Sequence, residues 1–302
     1  MVAVILGLPE KEWFASGHSA CSGCGMAISF RHILKAAGEN TIVVMGTGCG
    51  EVVSTAYPLT SWKHAAIHNA FENTASTASG IESALKMLGK KTKILIISGD
   101  GGCFDIGFGA LSGMLERGHN ICYVCYDNGA YANTGVQRSG ATPKYANTTT
   151  TPVGDLVKGK VQWGKPLPFI VAAHKIPYVA TANPAYPLDL YNKVKKGLET
   201  KGPAYVQVFS VCVPGWGTDT SKTIEISKLS FETCFYPLFE IVDGKLNLKK
   251  VNNKKPLEDF FKLQSRFKHL LKPENKNLFE EVKEKVSVGW RELLSNNGQK
   301  IC

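Results

Sequence analysis

Residues 94–102 have the sequence Ile-Leu-Ile-Ile-Ser-Gly-Asp-Gly-Gly, in which an apolar run passes directly into a glycine-rich loop with one carboxylate. An apolar run without polar alternation is typical of a strand buried on both faces of a parallel sheet. Similar runs occur at Thr41–Met45, Ile121–Tyr126, Tyr178–Ala182 and Ala204–Phe209. Helical periodicity separates them, as at Ile28–Ala37, Ala75–Leu88 and Pro187–Glu199. This alternation predicts a doubly wound α/β fold around a mainly parallel sheet.

The composition of the chain changes near Cys212. Residues 213–228 are rich in Gly, Thr and Ser, and a Lys- and Glu-rich tail follows. The tail contains two predicted helices, Pro256–Leu263 and Asn277–Leu294, but too few apolar residues for a large core of its own. We therefore expect an α/β domain at residues 1–212 and a C-terminal extension at residues 213–302 that wraps this domain or a partner subunit.

Two polar loops follow consecutive strands of the predicted sheet. The first contains Asp100 among glycines, and the second begins near Asn128. Because ligands of open parallel sheets bind beyond the carboxyl ends of the strands, we expect these side chains to lie together. A carboxylate, an amide oxygen and the backbone carbonyl of Ala130 suit Mg²⁺, which could bridge to a diphosphate held by the glycine-rich backbone. A Gly-Asp-Gly sequence alone is more often a turn, so this prediction depends on the second loop.

Four of the nine cysteines are placed where they could meet at the same edge of the sheet. Cys21 and Cys24 form a C-x-x-C pair on a glycine-containing turn, whereas Cys49 and Cys212 each follow a predicted strand. Four converging thiolates could hold either Zn²⁺ or a [4Fe–4S] cluster, and the spacing alone favours neither. A structural zinc site usually has two close pairs, so one pair with two distant single cysteines favours a cluster.

The other cysteines are interpreted as packing residues. Cys122 and Cys125 lie three apart in a predicted strand and so face opposite sides, which prevents both from reaching one ion. Cys103, inside the glycine-rich loop, is expected only to line the site. Cys234 and Cys302 have no informative context.

Together these motifs resemble the β subunit of pyruvate:ferredoxin oxidoreductase in its multi-subunit archaeal and bacterial form. The similarity is carried by Cys212 and by residues 17–25, 46–50, 99–109 and 127–137, and it extends into the tail at residues 221–225 and 263–268. The Gly-Asp-Gly sequence followed at this distance by an Asn resembles the thiamine-diphosphate fingerprint. The resemblance therefore implies an α/β fold of the thiamine-diphosphate-binding type.

The resemblance implies a role for each matching position. Thiamine diphosphate would contact Cys49, Gly99, Asp100, Gly101, Gly102, Asn128, Ala130, Tyr131 and Asn133, with Asn133 as the catalytic residue near the reacting carbon. Asp100, Asn128 and the carbonyl of Ala130 would hold Mg²⁺. Cys21, Cys24, Cys49 and Cys212 would ligate a [4Fe–4S] cluster close to the thiazolium ring. Single-chain relatives have a Glu two residues after the second cysteine of the pair, where this sequence has Met26.

The reaction that the resemblance implies is the oxidative decarboxylation of pyruvate with coenzyme A to acetyl-CoA and CO₂. Thiamine diphosphate would act as the electron sink while CO₂ leaves, and the cluster would pass electrons to ferredoxin. The family supplies a second thiamine-site domain, with the Glu that activates the cofactor, from a separate α subunit. With γ and ferredoxin-like δ subunits completing the complex, the chain would be active only with its partners.

Two alternatives remain open from the sequence. The same machinery could act on 2-oxoisovalerate, 2-oxoglutarate or oxalate, although residues 21–25 and the long tail look closest to the pyruvate branch. A zinc-stabilised, non-catalytic module that binds nucleotides or nucleic acid through its basic tail is the second alternative. The expected convergence of Asp100, Asn128 and the cysteines argues against it.

Charge and composition are typical of an ordinary globular protein. Of the 302 residues, 44% are hydrophobic and 20% charged, and the net charge of +10 comes mostly from Lys-rich runs late in the chain. Glu residues interleave these runs, which indicates a solvated face, with a surface that steers an acidic protein partner as the functional alternative. No apolar stretch reaches the length of a membrane span, and residues 1–9 lack the features of a signal peptide. We expect a cytoplasmic protein that binds neither nucleic acid nor membrane.

Overall fold

The computed structural model describes residues 7–302, so most of the segment considered as a signal peptide lies outside the described residues. The strands are β1 (Thr41–Gly46), β2 (Ala65–Asn69), β3 (Lys93–Gly99), β4 (Cys122–Asp127), β5 (Tyr178–Ala182), β6 (Ala204–Phe209), β7 (Phe239–Val242) and β8 (Lys245–Leu248). The α-helices are α1 (Gly25–Ala37), α2 (Cys49–Val52), α3 (Thr74–Met87), α4 (Phe108–Glu116), α5 (Leu167–Ala172), α6 (Pro187–Glu199), α7 (Val213–Trp216), α8 (Thr223–Glu232), α9 (Leu257–Lys262) and α10 (Lys276–Ser295).

The strands form one mixed sheet in the order β2-β1-β3-β4-β6-β5-β7-β8. The first six strands of this order are parallel, and β7 and β8 join antiparallel at one edge. The predicted α/β fold with a mainly parallel sheet is thereby confirmed. The two antiparallel strands come from the predicted C-terminal extension, which therefore contributes directly to the sheet.

Helices cover both faces of the sheet because the buried strands are apolar on both sides. Ile94 and Ile96 of β3 face one core cluster, which α3, α4 and α5 cover, whereas Leu95 and Ile97 face the other, covered by α1 and α6. Such burial is the main favourable contribution to folding, at about 25 cal/mol per Å² of apolar surface. The doubly wound arrangement thus follows from the unbroken apolar runs.

The C-terminal part of the chain shares a third core cluster with the main domain. Phe260 and Phe261 of α9 and Phe267 are fully buried, and Phe209 at the end of β6 packs in the same cluster. The expectation that the tail lacks residues for a separate core agrees with this shared packing. The division at residue 212 stays a prediction.

The strand register aligns the carboxyl ends that carry the predicted motifs. Gly99 at the end of β3 pairs with Tyr126 of β4, and Asp127 pairs with Phe209 of β6. The loops after β1, β3, β4 and β6 therefore all leave the sheet on the same side, where the carboxyl ends of these strands lie. Within residues 7–302, no helix combines the length and the apolar character that crossing a membrane requires.

Candidate active site

A cavity of about 200 Å³ lies at the carboxyl ends of β1, β3 and β4, and we call it the cofactor cavity. Its lining includes all nine residues predicted to contact thiamine diphosphate, which are Cys49, Gly99, Asp100, Gly101, Gly102, Asn128, Ala130, Tyr131 and Asn133. Thr47, Phe71 and Tyr126 also contribute, although no motif in the sequence marks them as site residues. Residues from three separate loops thus meet in one concave site.

Asp100 is a fully buried carboxylate at the base of this cavity. One oxygen accepts a hydrogen bond from the backbone N–H of Asn128 at 3.2 Å, and the other accepts one from the hydroxyl of Ser139. Burial, together with the nearby Asp127, raises the pKa of Asp100 well above its ordinary value, while these hydrogen bonds oppose the shift. A buried carboxylate without a cation is costly, so this position suits a bound divalent cation.

The loop after β4 is folded back on itself by side-chain contacts. Asn128 accepts a hydrogen bond from the N–H of Ala130 at 3.1 Å, and Asp127 accepts one from the N–H of Gly129 at 3.0 Å. The indole N–H of Trp216 donates to the carbonyl of Asn128 at 2.8 Å. Gly129 has a φ of +69°, a conformation that glycine adopts readily. The side-chain oxygen of Asn128 retains a second lone pair for a ligand.

The glycines after β3 are required by close packing within the protein. A β-carbon on Gly101 would lie 2.3 Å from the ring of Tyr131, whose hydroxyl donates to the carbonyl of Gly101 at 3.0 Å. A β-carbon on Gly102 would lie 2.9 Å from the carbonyl oxygen of Phe71. Because Gly101 and Gly102 have no side chains, Tyr131 and Phe71 can pack close enough to form the cavity wall. This packing explains the two glycines in addition to the expected approach of a phosphate.

A second cavity, of about 230 Å³, adjoins the first, and we call it the thiol cavity. Cys21, Cys24, Cys49 and Cys212 all line it, so the structure brings together the four cysteines predicted as cluster ligands. The two cavities have Cys49, Asn128, Ala132 and Asn133 in common. The thiol of Cys49 lies 3.8 Å from the side-chain oxygen of Asn133.

Three of the four thiols are partly buried, whereas Cys21 is exposed, and the thiols influence one another electrostatically. Burial raises the pKa of Cys49 to about 12, with further contributions from the other three cysteines, and raises that of Cys212 to about 11. The hydroxyl of Ser210, which also lines the cavity, is buried and has no hydrogen-bond partner in the described chain. Metal coordination would stabilise the thiolates, and a sulfide or thiolate sulfur would be an acceptor for this hydroxyl.

The four cysteines reach the thiol cavity from three separate segments of the chain. Across residues 7–302, no three His, Cys, Asp or Glu side chains are close enough together to hold a single metal ion. A tetrahedral zinc site, in which the Zn–S distances are about 2.3 Å, and a [4Fe–4S] cluster can each be held by four thiolates. The predicted Mg²⁺ site is of a different kind, because Asp100 is its only His, Cys, Asp or Glu residue.

The remaining cysteines and Met26 lie in the hydrophobic cores. Cys122 and Cys125 are buried in the clusters on opposite faces of the sheet, which confirms the interpretation as packing residues. The expectation that Cys103 lines the site is wrong: its fully buried thiol packs against the Tyr205 hydroxyl at 3.5 Å, on the core side of the loop. Gly101–Ile106 form a short π-helix, and Cys103 lies on its side that faces the core. Met26 is buried and forms part of the thiol-cavity wall.

His68 on β2 lies beside the cofactor cavity. Its Nε2 is 2.7 Å from the hydroxyl of Thr47, a cavity residue, and 3.9 Å from a carboxylate oxygen of Glu51. The outer face of β2 is exposed. His68 therefore contacts the site through Thr47.

Comparison with known proteins is consistent with this geometry. Residues 46–208 match the family model "Thiamine pyrophosphate enzyme, C-terminal TPP binding domain". Pyruvate synthase subunit PorB of Methanocaldococcus jannaschii is 47% identical over 94% of this chain and 99% of its own length. The chain belongs to the PorB family of 2-oxoacid:ferredoxin oxidoreductase subunits. It is thus one subunit of an oxidoreductase and carries a thiamine-diphosphate-binding domain.

Other relatives show how wide the PorB family is. PorB of Methanosarcina barkeri is 51% identical over 86% of this chain and 89% of its own length. Ketoisovalerate oxidoreductase subunit VorB of Pyrococcus abyssi is 46% identical over 88% and 89%. A solved 2-oxoglutarate:ferredoxin oxidoreductase from Magnetococcus marinus matches with a TM-score of 0.59 and 21% identity, covering 76% of this chain and 84% of that one, which shows a shared fold.

Proposed function

We propose that this PorB-family chain is the thiamine-diphosphate-binding β subunit of a pyruvate:ferredoxin oxidoreductase. The complex would convert pyruvate and coenzyme A to acetyl-CoA and CO₂ and pass electrons through a [4Fe–4S] cluster to ferredoxin. The observation that carries the proposal is the junction of the two cavities at Cys49 and Asn133. A thiol-lined cavity that shares its wall with a diphosphate-type site suits electron transfer from one to the other.

The cofactor cavity has the residues that thiamine diphosphate with Mg²⁺ requires. Asp100 and Asn128 would hold the cation together with the carbonyl of Ala130, and the backbone of residues 99–102 would face the diphosphate. When bound, thiamine diphosphate supplies the electron sink for decarboxylation. Asn133 lies at the exposed mouth of the cavity, where its amide can orient a substrate beside Cys49. The tightly packed Tyr131 holds the wall of the site in place.

We propose a [4Fe–4S] cluster rather than a zinc ion in the thiol cavity, because its cysteines are one close pair and two distant single residues, whereas a structural zinc site usually has two close pairs. Four thiols line it, and Ser210 offers a hydroxyl that has no hydrogen-bond partner within residues 7–302. Hydrogen bonds and a low dielectric around a cluster are the protein's means of setting its reduction potential. A chain that held zinc there would be colourless, whereas a [4Fe–4S] cluster would make it brown, and the colour would fade when the cluster is reduced or is destroyed by oxygen.

Exposed apolar side chains between α2 and β2 and on β2 itself support the need for a partner. Tyr57 and Leu59 are 97% and 72% exposed on the segment after α2, and Ile67 is 41% exposed on β2. Clusters of this kind mark protein interfaces. We propose that an α subunit with a second thiamine-site domain covers this face, and that γ and ferredoxin-like δ subunits complete a cytoplasmic complex.

A second substrate assignment has a specific observation in its favour. The VorB relative, named for ketoisovalerate, is almost as similar to this chain as the PorB relatives are. 2-Oxoisovalerate is therefore the principal alternative to pyruvate, ahead of 2-oxoglutarate and oxalate.

The test is viologen reduction by the intact complex, purified without oxygen, with each 2-oxo acid in the presence and absence of coenzyme A. We expect fast, coenzyme-A-dependent reduction with pyruvate. Preference for 2-oxoisovalerate or 2-oxoglutarate would overturn the substrate assignment while retaining the cofactors. Reduction by oxalate without coenzyme A would overturn the acyl-transfer step. Absence of reduction by every acid, in a complex that contains iron and thiamine diphosphate, would contradict the redox function.

A further inference from the structure

A third and larger cavity, of about 600 Å³, lies between the sheet and α10, and we call it the rear cavity. Its walls are mainly apolar and aromatic, with Trp163, Phe169, Phe209, Trp216 and Trp290 among them. A volume in the range of roughly 300–1,000 Å³, with such walls and a few polar groups, is typical of small-molecule sites. None of the predicted cofactor or cluster residues line this cavity.

Arg266 provides an unpaired cation in the rear cavity. Its side chain is stacked on Trp216, with the guanidinium carbon 3.6 Å from the ring centroid, and the residue is only 5% exposed. Nε donates to Gln264 at 3.0 Å, whereas neither terminal NH₂ group donates to any residue within 7–302. No carboxylate of this described chain forms an ion pair with it. Two adjacent, desolvated NH₂ groups are the fork that binds a carboxylate through two hydrogen bonds.

The other charged groups of the cavity are already paired or engaged. Lys144 pairs with Glu281, and Lys165 pairs with Asp105 at 2.8 Å. Asp127 accepts hydrogen bonds from Gly129 and from the Gln207 amide at 2.7 Å, and its carboxylate is the negative charge that acts most strongly on Arg266, although the two groups form no ion pair in the described chain. Lys285 and Glu292 on α10 also line the cavity, with opposite charges. Arg266 therefore remains the buried cation of the cavity whose terminal NH₂ groups are free to bind a carboxylate, with Asp127 nearby as a like charge that such a ligand must tolerate.

Gly289 enlarges the cavity at a cost to the helix. It lies in the middle of the 20-residue helix α10 and lines the cavity, and a β-carbon there would meet nothing within 4 Å. Glycine inside a helix is less favourable than alanine, because it loses more backbone freedom on folding. Neither packing nor a positive φ requires glycine at this position, so its effect is to keep the cavity open.

We propose that the rear cavity binds an apolar organic acid, with its carboxylate on Arg266 and its hydrocarbon body between the sheet and α10. The site would also contact the back of the cofactor loop. Asp127 and Gly129 line the rear cavity, whereas Asn128 and Ala130 line the cofactor cavity, so successive loop residues face opposite sites. Arg266 Nη1 would lie 3.2 Å from a β-carbon on Gly129. Ligand binding is therefore expected to alter the affinity for thiamine diphosphate.

The test is isothermal titration of the assembled complex with decanoate, decanol and decyl phosphate. We expect one decanoate per copy of this chain, and decanol to bind roughly 10- to 100-fold more weakly because it lacks the charge-assisted hydrogen bonds. Gly289→Leu should weaken decanoate binding by about tenfold or more, by occupying the space that an apolar body needs. Gly80→Leu is the matched control, since Gly80 lies on an exposed face of α3 with open space around it.

Several outcomes would overturn the proposal. Equal affinity for decanol and decanoate would exclude recognition by Arg266, and tighter binding of decyl phosphate would exclude a carboxylate as the natural head group. Unchanged decanoate affinity in Gly289→Leu would place any binding elsewhere. The comparison of the three ligands uses the unaltered protein, so it remains decisive even if Gly289→Leu does not fold.

Discussion

Replacing Gly25 with alanine tests how the C-x-x-C turn is held against the end of β6. Gly25 is the first residue of α1, directly after Cys24, and its N–H donates to the carbonyl of Val211 at 3.0 Å. A β-carbon on Gly25 would lie 2.6 Å from the nitrogen and 3.1 Å from the oxygen of Val211. Because both atoms belong to the backbone, no change of rotamer can relieve the contact.

The expected effect follows from these distances. The two segments must separate until the 2.6 Å contact reaches at least 3.4 Å, where ordinary van der Waals contact begins. Overpacking of this kind costs about 1–3 kcal/mol, and weakening of the Gly25–Val211 hydrogen bond costs about 1 kcal/mol more. We expect the free energy of unfolding to fall by about 2–4 kcal/mol. Since Cys24 and Cys212 are the immediate neighbours of Gly25 and Val211, the thiols should also move apart.

The assays are denaturant unfolding of the full-length chain and analysis of iron and acid-labile sulfide in the complex purified without oxygen. Iron should fall well below the wild-type content although all four cysteines remain. Gly80→Ala is the control, because its β-carbon would meet nothing within 4 Å; its iron content should be unchanged and its stability up to about 1 kcal/mol higher. Wild-type stability together with full iron content in Gly25→Ala would refute the reasoning.

Two further substitutions test buried carboxylates. Asp100→Asn keeps the shape of the side chain but removes the charge proposed to hold Mg²⁺, so thiamine-diphosphate occupancy of the complex should fall by roughly tenfold or more. The control is Asp155→Asn, at an exposed position, which should bind thiamine diphosphate normally. Full occupancy in Asp100→Asn would contradict the assignment. Glu82→Gln should lower the free energy of unfolding at neutral pH by about 1–3 kcal/mol, because a buried carboxylate 2.7 Å from Lys86 is lost. Burial raises the pKa of Glu82, but Lys86 and the other donors outweigh burial and hold the pKa below 4.5. Its stabilisation is therefore present above pH 4.5 and lost as the pH falls through the lower pKa of the folded state. Urea unfolding at a series of pH values, with the exposed Glu116→Gln as the control, checks this; an unchanged acid profile in Glu82→Gln would count against the ion pair.

The buried parallel strands were predictable because their signal is local. β5 and β6 have the predicted bounds, and the predictions for β1, β3 and β4 differ from the structure by one residue at some ends. Each of these strands is covered on both faces, so its apolar run is unbroken. The helices α3 and α6 were recognised for a similar reason, since their periodicity is contained within the segment.

The sequence pattern does not predict the edge strands β2, β7 and β8, because their formation depends on pairing with strands that are distant in the chain. β2 is exposed along its outer face and has no buried apolar run. β7 and β8 have four residues each and alternate between buried and more exposed positions. Such short strands are stabilised by pairing, β7 with β5 and β8 with β7, which the sequence pattern does not specify.

Several site residues were missed because they come from remote segments. Ser139 reaches Asp100 from a loop, Trp216 reaches Asn128 from α7, and Arg266 enters the rear cavity from the tail. None has a motif of its own. By contrast, the glycine-rich loop with Asp100 and the loop with Asn128 were found because each follows a recognisable strand.

The sequence by itself determined the alternation of strands and helices, the polar loops at the strand ends, and the candidate ligands within them. Only the tertiary structure decided the strand order, the contact of Gly25 with Val211 that brings Cys24 towards Cys212, and the opposite orientation of successive residues 127–130 towards two cavities. The physical reason is that periodicity and turn chemistry are properties of neighbouring residues. Contacts between residues far apart in the chain depend instead on which surfaces pack together, and this is settled only when the whole core forms.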